Sequence, residues 1–230
     1  RVLVESGANI LCTALTDVYL NKLAKELSLK GFNIEVLATD NTTVSGWDNT
    51  INLALQKWGK IDVLINNLGD AISKPVAELP GDEDGSSMTL REWNKILDIN
   101  LSHAFLGCKA IGPHFIHRKK GKVINITGIA ARQGSAHMAA YSAGKAGLVR
   151  FTQALALEWA PYNVLVNAIR PGATNTSFHK KIGRDISARI NSVPLKRLAK
   201  PSEISDMALF LAGPKSSFIT NAIIDVRGGE

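Results

Sequence analysis

Short apolar runs alternate along this chain with longer segments whose apolar residues recur at helical spacing. Six of the runs are too short and too evenly apolar for surface helices, so they predict buried strands. They cover residues 9–15, 33–39, 61–66, 122–127, 163–169 and 222–226. Five longer segments predict helices, at residues 16–30, 43–58, 89–119, 137–160 and 201–211. This alternation predicts an α/β protein with a doubly wound parallel sheet that is covered on both faces.

Capping and turn residues mark the ends of the predicted elements. Gly7, Gly31 and Gly59 follow helical segments, and Thr89 with Glu92 forms a capping box at the start of the longest one. Residues 70–88 are polar and rich in glycine and proline, which predicts a loop. Residues 171–200 have a similar composition, and we predict one short helix within them. We find no repeat or linker, so residues 1–230 predict a single domain.

Several polar residues follow the predicted strands directly. They are Asp40, Asn67-Leu68-Gly69, Thr127 and Pro171-Gly172. In parallel sheets, ligands bind in the crevice outside the carboxyl ends of the strands. The sequence therefore predicts one binding site at this edge of the sheet.

The composition narrows the choice of ligands only slightly. The 230 residues carry a net charge of +7 with 45% hydrophobic residues, and the charge mildly favours anionic ligands such as phosphates, thioesters or nucleotides. The positive charges are scattered, and their one dense run, at residues 117–120, lies where a helix should end and complements its dipole. We therefore expect no nucleic-acid partner.

The remaining composition argues for a cytoplasmic protein without metal. Cys12 and Cys108 form neither a disulfide framework nor a metal spacing, which favours a reducing compartment. The five histidines form no ligand cluster, and no apolar run is long enough for a membrane span. No signal peptide is found. The first residue is Arg1 rather than methionine, so we expect the natural start to lie upstream.

Tyr141 and Lys145 are the first candidates for catalysis. They lie four residues apart in a predicted helix and therefore share one face of it. An ammonium beside a phenol favours the phenolate, so we expect the pKa of Tyr141 to fall towards neutrality. Such a phenol is a general acid or base at working pH. In isolation, a pair with this spacing is more often an ordinary surface pair, and the surrounding motifs decide between the two interpretations.

Five motifs occur in order around this pair. They are Asp40 after a strand, Asn66-Asn67-Leu68-Gly69, Asn100 in a long helix, Tyr141 with Lys145, and Asn167-Ala168-Ile169-Arg170-Pro171-Gly172 with Thr176 four residues beyond. Together they resemble the short-chain dehydrogenase/reductase family along nearly the whole chain. The resemblance implies a Rossmann-like fold and hydride transfer between a nicotinamide, NAD or NADP, and a carbonyl or secondary alcohol.

The resemblance also implies roles for particular residues. Tyr141 would be the acid or base, Lys145 would lower its pKa and hold the nicotinamide ribose, and Asn100 would hold a water that joins Lys145 to solvent. Cofactor binding would fall to Asp40, Asn67, Gly69, Tyr141, Lys145, Pro171, Gly172, Thr174 and Thr176. Tentative substrate contacts are Thr127, Ser135 and Phe178.

This chain departs from the family pattern in its first element and at the catalytic serine. The family begins with a strand and a glycine-rich turn that binds pyrophosphate, which here are expected upstream of Arg1. Gly128 stands thirteen residues before Tyr141, where the family has its catalytic serine. Thr127 and Ser135 are neighbours but not safe substitutes. We therefore expect slow or altered catalysis, since an electrophilic contact of this kind is worth about 2–4 kcal/mol.

Cofactor choice is normally decided at the end of the strand that here reads Thr13-Ala14-Leu15-Thr16. A carboxylate at Ala14 would favour NAD, and a guanidinium at Leu15 would favour NADP, but neither is present. No carboxylate is present there to repel the 2′-phosphate of NADP, and the chain carries a net positive charge. Both observations weakly favour NADP. Near the end, Arg227 replaces the aspartate that is usual in the family.

The substrate pocket is expected beneath residues 173–200. Ile182, Ile186 and Ile190 recur every four residues and predict a short lid helix, although the same stripe would also fit ordinary core packing. The residues of this segment suggest that the substrate is a moderately apolar small molecule, with a 3-oxoacyl thioester as one candidate.

The alternative to an enzyme is a non-catalytic oligomeric binding or scaffold protein of the same fold. The resemblance further implies a homodimer or homotetramer built through the helices at residues 89–119 and 137–160.

Overall fold

A computed structural model describes all 230 residues and contains six strands that alternate with nine α-helices. The strands are β1 (Leu11–Ala14), β2 (Glu35–Ala38), β3 (Val63–Asn66), β4 (Gly121–Ile126), β5 (Val164–Pro171) and β6 (Ile223–Val226). The helices are α1 (Val2–Glu5), α2 (Val18–Ser28), α3 (Val44–Trp58), α4 (Leu90–Leu97), α5 (His103–Arg118), α6 (Ala139–Trp159), α7 (Phe178–Lys181), α8 (Ile186–Ser192) and α9 (Pro201–Ala212). The predicted α/β order is therefore confirmed.

The strands form two parallel sheets. One consists of β1 and β2, and the other has the order β3-β4-β5-β6. Every pairing is parallel, and the longest, between β4 and β5, runs from Gly121 opposite Val164 to Ile126 opposite Ile169. Within each sheet the strands are parallel, so their carboxyl ends meet along one edge. The sequence predicts one continuous sheet, however, whereas β1 and β2 pair only with each other.

Helices cover both faces of the four-stranded sheet. On one face, eleven buried residues form the main core, and they come from α3, α5, α6 and strands β3 to β5. On the other face, Ile124 and Ile169 pack against Ala208 and Leu211 of α9. Since β4 and β5 are largely buried between two layers of helix, their near-continuous apolar runs in the sequence have a direct structural cause. No helix of the structure is both long and apolar enough to cross a membrane.

Capping residues fix the ends of α3 and α4, and the caps at Gly59 and Thr89 are those predicted from the sequence. The hydroxyl of Thr43 accepts a hydrogen bond of 3.1 Å from the backbone N–H of Gly46, and α3 ends at Gly59 with a φ of 68°. Thr89 and Glu92 make the expected capping box at α4. The long helix at residues 89–119 is interrupted, however. A π-helical turn, Asp98–Ser102, separates α4 from α5 and contains Asn100.

The single lid helix predicted within residues 171–200 is wrong. The segment forms two short helices, α7 and α8, and Ile182 lies just beyond the end of α7. Gly183 adopts a left-handed conformation with a φ of 68°, which ends α7, and the carboxylate of Asp185 caps α8. Local turn and capping chemistry therefore outweighs the four-residue spacing of the isoleucines.

Candidate active site

Tyr141 and Lys145 lie in the first two turns of α6, which begins at the carboxyl edge of the four-stranded sheet. The side chain of Lys145 is directed inwards, and the residue is only 3% exposed. Its Nζ donates hydrogen bonds to the carbonyl oxygens of Ile126, at 3.0 Å, and Leu68, at 3.4 Å. Both carbonyls come from the ends of neighbouring strands, so the lysine ties α6 to β3 and β4.

The pKa values of this pair do not follow the sequence-based expectation. Burial lowers the pKa of Lys145 to about 8. Burial raises the pKa of Tyr141 to about 12, against the opposing effect of the Arg184 charge. The predicted fall in the pKa of Tyr141 is therefore wrong for the ligand-free protein. The desolvation of the phenolate outweighs the nearby positive charge, and the ammonium of Lys145 is engaged with backbone carbonyls.

Asn100 completes a buried polar cluster with Lys145. The asparagine is fully buried, and its Nδ2 donates to the carbonyl oxygens of Asp70, at 2.7 Å, and Ile96, at 2.8 Å. Its Oδ1 has no hydrogen-bond partner. Gly69 closes the cluster, because a β-carbon there would lie 3.1 Å from Lys145 Nζ and 3.3 Å from Asn100 Oδ1. Three of the predicted site residues are thus brought together.

Gly128 lies directly beside the phenol of Tyr141. A β-carbon built on Gly128 would lie 3.2 Å from the Tyr141 hydroxyl oxygen. The glycine has a φ of 170°, which is extended backbone open to any residue. The hydroxyl of Thr127 does not replace the family's serine, since it donates a 3.0 Å hydrogen bond to the carbonyl oxygen of Ile169. No hydroxyl group therefore stands at the position of that serine.

A cavity of about 150 Å³ opens in front of Tyr141. Its lining includes eight of the predicted site residues: Thr127, Ser135, Tyr141, Pro171, Gly172, Thr174, Thr176 and Phe178. The ring of Phe178 packs on that of Tyr141, with 5.5 Å between the ring centroids. An adjoining outer cavity of about 390 Å³ shares four lining residues with it: Ile129, Ser135, Arg184 and Arg189. The segment after β5 therefore covers the tyrosine, as the sequence predicts for residues 173–200.

The loop after β5 is held by a residue that the sequence did not single out. The carboxylate of Glu230 accepts a 2.8 Å hydrogen bond from the backbone N–H of Ala173. A β-carbon on Gly172 would collide with that carboxylate and would lie 2.7 Å from Arg227 Cα. Thr174 Oγ1 donates to the carbonyl oxygen of Gly172 at 3.2 Å. Glycine is therefore required at position 172 by the close approach of the carboxy-terminal segment.

Four of the predicted cofactor residues do not line the cavity. Lys145 and Gly69 belong to the polar cluster described above, and Asp40 and Asn67 lie further away. Asp40 follows β2, is exposed, and accepts hydrogen bonds from the backbone and hydroxyl of Thr42, which lower its pKa. Asn67 is exposed at the end of β3. Leu15, at the end of β1, is 71% exposed. These positions lie at the carboxyl edges of the two sheets, away from the groups that line the cavity around Tyr141.

Sequence reasoning missed the basic groups of the cavity. Arg184 and Arg189 line it together with His179, whose pKa is lowered first by burial and then by both arginine charges. The available signal was the high share of basic residues in the segment at residues 173–200, although the sequence does not show which of them reach the cavity. No group of three or more potential ligands for a metal ion occurs.

The parallel sheets with helices on both faces are Rossmann-like, and Tyr141 at the cavity lies one helical turn from the buried Lys145. Comparison with known proteins identifies the family. A short-chain dehydrogenase/reductase family model, described as "Enoyl-(Acyl carrier protein) reductase", matches residues 1–230. The chain therefore belongs to the short-chain dehydrogenase/reductase family, and its relatives are oxidoreductases.

Particular relatives cover the full length of the chain. It is 32% identical to trans-4-hydroxycyclohexanecarboxylate dehydrogenase of Sinomonas cyclohexanicum, covering 100% of this chain and 86% of the relative. It is 31% identical to the 3-oxoacyl-[acyl-carrier-protein] reductase FabG of Vibrio harveyi, covering 100% and 89%. The crystal structure of gox2181 superimposes with a TM-score of 0.89 at 27% identity, covering 99% of this chain and 87% of the other.

Proposed function

We propose that this protein interconverts a carbonyl compound and a secondary alcohol with NAD(P)H or NAD(P)⁺, and that Tyr141 is its general acid or base. The observation that carries the proposal is that Tyr141 lines a cavity one helical turn from the buried Lys145, which itself lies close to the buried Asn100. A binding protein without catalysis has no need for a buried ammonium of this kind, since burying a charge is costly.

The residues present fit a nicotinamide cofactor. An ammonium has three donors, and two of those on Lys145 are used by the carbonyls of Leu68 and Ile126. The third is left for a ribose hydroxyl. The unpartnered Oδ1 of Asn100 is an acceptor for a bound water. The bound nicotinamide supplies the hydride, and the protein supplies orientation and the proton.

Further cofactor contacts would come from the carboxyl edges of both sheets. The residues that we propose for them are Asp40, Asn67, Gly69, Pro171, Gly172, Thr174 and Thr176. The backbone N–H of Ala173 is engaged by Glu230 in the ligand-free protein. A cofactor group that uses this N–H would therefore have to displace the carboxylate.

In reduction, Tyr141 donates its proton to the carbonyl oxygen as that oxygen gains negative charge. A pKa of about 12 keeps the phenol protonated at neutral pH, so the ligand-free enzyme is prepared to act as an acid. Lys145 and a water held by Asn100 would return a proton to the phenolate. In oxidation the same phenol would have to lose its proton first, which requires the positive charge of a bound nicotinamide nearby to lower its pKa.

The proposed cofactor is NADP, with NAD as the alternative. Ala14 and Leu15 carry neither a carboxylate for a ribose diol nor a cation for a phosphate. A fluorescence titration of the protein with NADH and with NADPH tests this directly. We expect saturable binding in the micromolar range, tighter for NADPH. Protein that carries the expected upstream strand and glycine-rich turn, is folded by circular dichroism and binds neither dinucleotide would overturn the proposed function.

The substrate class is a small carbonyl compound or alcohol. Two of the relatives named above act, by their names, on a hydroxy acid and on a 3-oxoacyl thioester. Ser135 and Phe178 line the cavity at the position that such a substrate would occupy. A screen of NADPH oxidation with ketones, keto acids and 3-oxoacyl thioesters tests the assignment. Because Gly128 lacks the family's hydroxyl, the second candidate is a binding or scaffold protein, which predicts no turnover of any of them.

We further propose a homodimer or homotetramer. Leu148 and Leu155 of α6 are buried within the chain, whereas Leu157 is 69% exposed and Phe105 of α5 is 48% exposed. These two side chains leave an apolar surface on the helices that we expect to meet a second copy. Light scattering coupled to size-exclusion chromatography, on the natural sequence and on Leu157→Glu, tests this. A monomer with the natural sequence would refute it.

A further inference from the structure

Arg184 is a cation that faces both cavities without an anionic partner. It lies between α7 and α8 and is partly buried. Its Nη2 makes only two long contacts, to Ser135 Oγ at 3.4 Å and to Met138 Sδ at 3.5 Å. Neither neighbour is an anion, and no salt bridge involves this arginine, so most of the donors of its guanidinium are left for a ligand.

The other charged groups around the cavities already have salt-bridge or hydrogen-bond partners. Arg189 forms a salt bridge with Glu230, which also accepts from the backbone of Ala173. The carboxylate of Asp185 accepts hydrogen bonds from the backbone N–H groups of Ser187 and Ala188, at 2.8 and 3.2 Å, and so caps α8. His179 is buried with a lowered pKa, and Tyr141 is protonated at neutral pH. Arg184 is therefore the cavity-lining cation that forms no salt bridge, although the charge of Glu230 acts on it from a distance.

We propose that Arg184 binds a carboxylate of the substrate while Tyr141 exchanges a proton with its carbonyl or alcohol group. The substrate would then be an oxo acid or a hydroxy acid. This inference rests on the proposed function for the reaction at Tyr141. A guanidinium presents a planar pair of donors that matches a carboxylate, and a partly buried site screens the pair less than water does.

The position of Arg184 separates the two ends of such a substrate. Arg184 lines both the inner and the outer cavity, whereas Tyr141 lines only the inner one. A carboxylate at Arg184 would therefore lie on the outer side of a carbonyl that is placed at Tyr141. A neutral ketone of the same shape, or a thioester without a free carboxylate, would leave the arginine unpaired and would bind less tightly.

Ligand binding tests the inference without any catalysis. Calorimetry would measure the binding of cyclohexanecarboxylate and of its neutral amide to the natural protein, Arg184→Met, Arg184→Lys and Lys22→Met. Lys22 is exposed in α2 and outside both cavities, so its variant controls for the loss of one positive charge. We expect the natural protein to prefer the acid, Arg184→Met to bind it at least tenfold more weakly, and Arg184→Lys to recover part of the loss. Circular dichroism would confirm that each variant is folded.

Three results would overturn the inference. The first is equal binding of acid and amide by the natural protein, including no binding of either. The second is an equal effect of Arg184→Met on both ligands. The third is a loss of NADPH binding in Arg184→Met without a loss of acid binding, which would assign the arginine to a cofactor phosphate.

Turnover separates this inference from the proposed function. The rates of NADPH oxidation with 4-oxocyclohexanecarboxylate and with its amide should differ at least tenfold in kcat/KM, and Arg184→Met should remove the difference by raising KM for the acid. If neither ketone reacts while acid binding still depends on Arg184, the result supports the carboxylate site and refutes the proposed reaction. If both ketones react equally, the reaction stands and the carboxylate site fails.

Discussion

Gly128 and Tyr141 approach so closely that a β-carbon on the glycine would lie 3.2 Å from the tyrosine hydroxyl oxygen. The backbone of Gly128 is extended, with a φ of 170° and a ψ of 165°, so no conformational requirement selects glycine there. A side chain at this position would point at the group that we propose to transfer the proton. The glycine therefore removes a functional group from the site rather than solving a problem of the fold.

Gly128→Ser should accelerate the reaction. A serine hydroxyl beside Tyr141 would donate a hydrogen bond to the substrate oxygen, and one such donor is worth about 10²–10³ in kcat. The contact at 3.2 Å requires Tyr141 to shift by a few tenths of an ångström, so we expect a gain near the lower figure, about a hundredfold. Steady-state kinetics with NADPH and a carbonyl substrate measures it.

Gly128→Ala is the matched control, because it adds the same β-carbon without the hydroxyl. We expect its kcat to stay at or below that of the natural protein. Equal rates for the serine and alanine variants would show that the hydroxyl contributes nothing and that another donor already polarises the carbonyl.

Tyr141→Phe should abolish most of the turnover while leaving the cofactor site intact. The variant keeps the aromatic ring that packs on Phe178 at 5.5 Å and removes only the phenol group. Loss of a general acid costs about 10²–10⁴ in rate, so kcat should fall by that factor. Tyr162→Phe, at a half-exposed position after α6, should leave the rate unchanged. NADPH binding should remain within a few-fold in both variants, and an unaffected kcat in Tyr141→Phe would remove the tyrosine from the mechanism.

The sequence predicted the fold well because each element carries local and long-range signals that agree. The apolar runs that become β4 and β5 are largely buried between helices, and the predicted caps at Gly59 and Thr89 have the predicted geometry. Lys145 and Asn100 also lie together beside Gly69, and Tyr141 is one helical turn from Lys145 in α6. The chain order of such motifs survives in the sequence because each is fixed to the end of a strand or to one face of a helix.

The properties that depend on packing could not be predicted. The direction of the Tyr141 pKa shift depends on how far the phenol is desolvated, which spacing along a helix does not reveal. The break between α7 and α8 depends on Gly183 and Asp185, whose local chemistry overrides the isoleucine stripe. In the sequence, nothing distinguishes Arg184 from a surface arginine. Only the structure shows that it lines the cavity and forms no salt bridge with a carboxylate.

Lys145→Met should change how stability depends on pH. Burial lowers the pKa of Lys145 to about 8 in the folded protein, below the ordinary lysine value of 10.5. Between these values the unfolded chain binds more protons than the folded one, so this group makes the natural protein more stable as pH rises. The free energy of unfolding of the natural protein should therefore rise relative to that of the variant as pH increases above 8. The total increase between the two pKa values should be up to about 3 kcal/mol.

Urea denaturation at pH 7, 8, 9 and 10 checks this difference. Lys22→Met, at an exposed position in α2, should show no pH-dependent difference from the natural protein. A difference between the natural protein and Lys145→Met that stays constant from pH 7 to 10, or shrinks, would mean that the folded-state pKa of Lys145 is not lowered.

Asn125→Ala should destabilise the fold through a buried polar chain between β3, β4 and α6. Asn125 is fully buried, accepts a 2.8 Å hydrogen bond from Asn66 Nδ2, and donates one of 2.8 Å to Thr152 Oγ1. The variant leaves the buried amide of Asn66 without this acceptor, and a buried unsatisfied group costs about 1–3 kcal/mol. We expect a loss in that range, or somewhat more because a small cavity is also created.

Asn94→Ala provides the comparison, because Asn94 is exposed on α4 and lies outside the polar chain. Its free energy of unfolding should change by less than about 0.5 kcal/mol, as for most surface substitutions. Urea denaturation of both variants at pH 7 measures the two losses. If Asn125→Ala were no more destabilising than Asn94→Ala, the Asn66–Asn125–Thr152 chain would contribute nothing to stability. The strand ends that position Lys145 and Gly128 would then depend on the backbone ladder and on apolar packing.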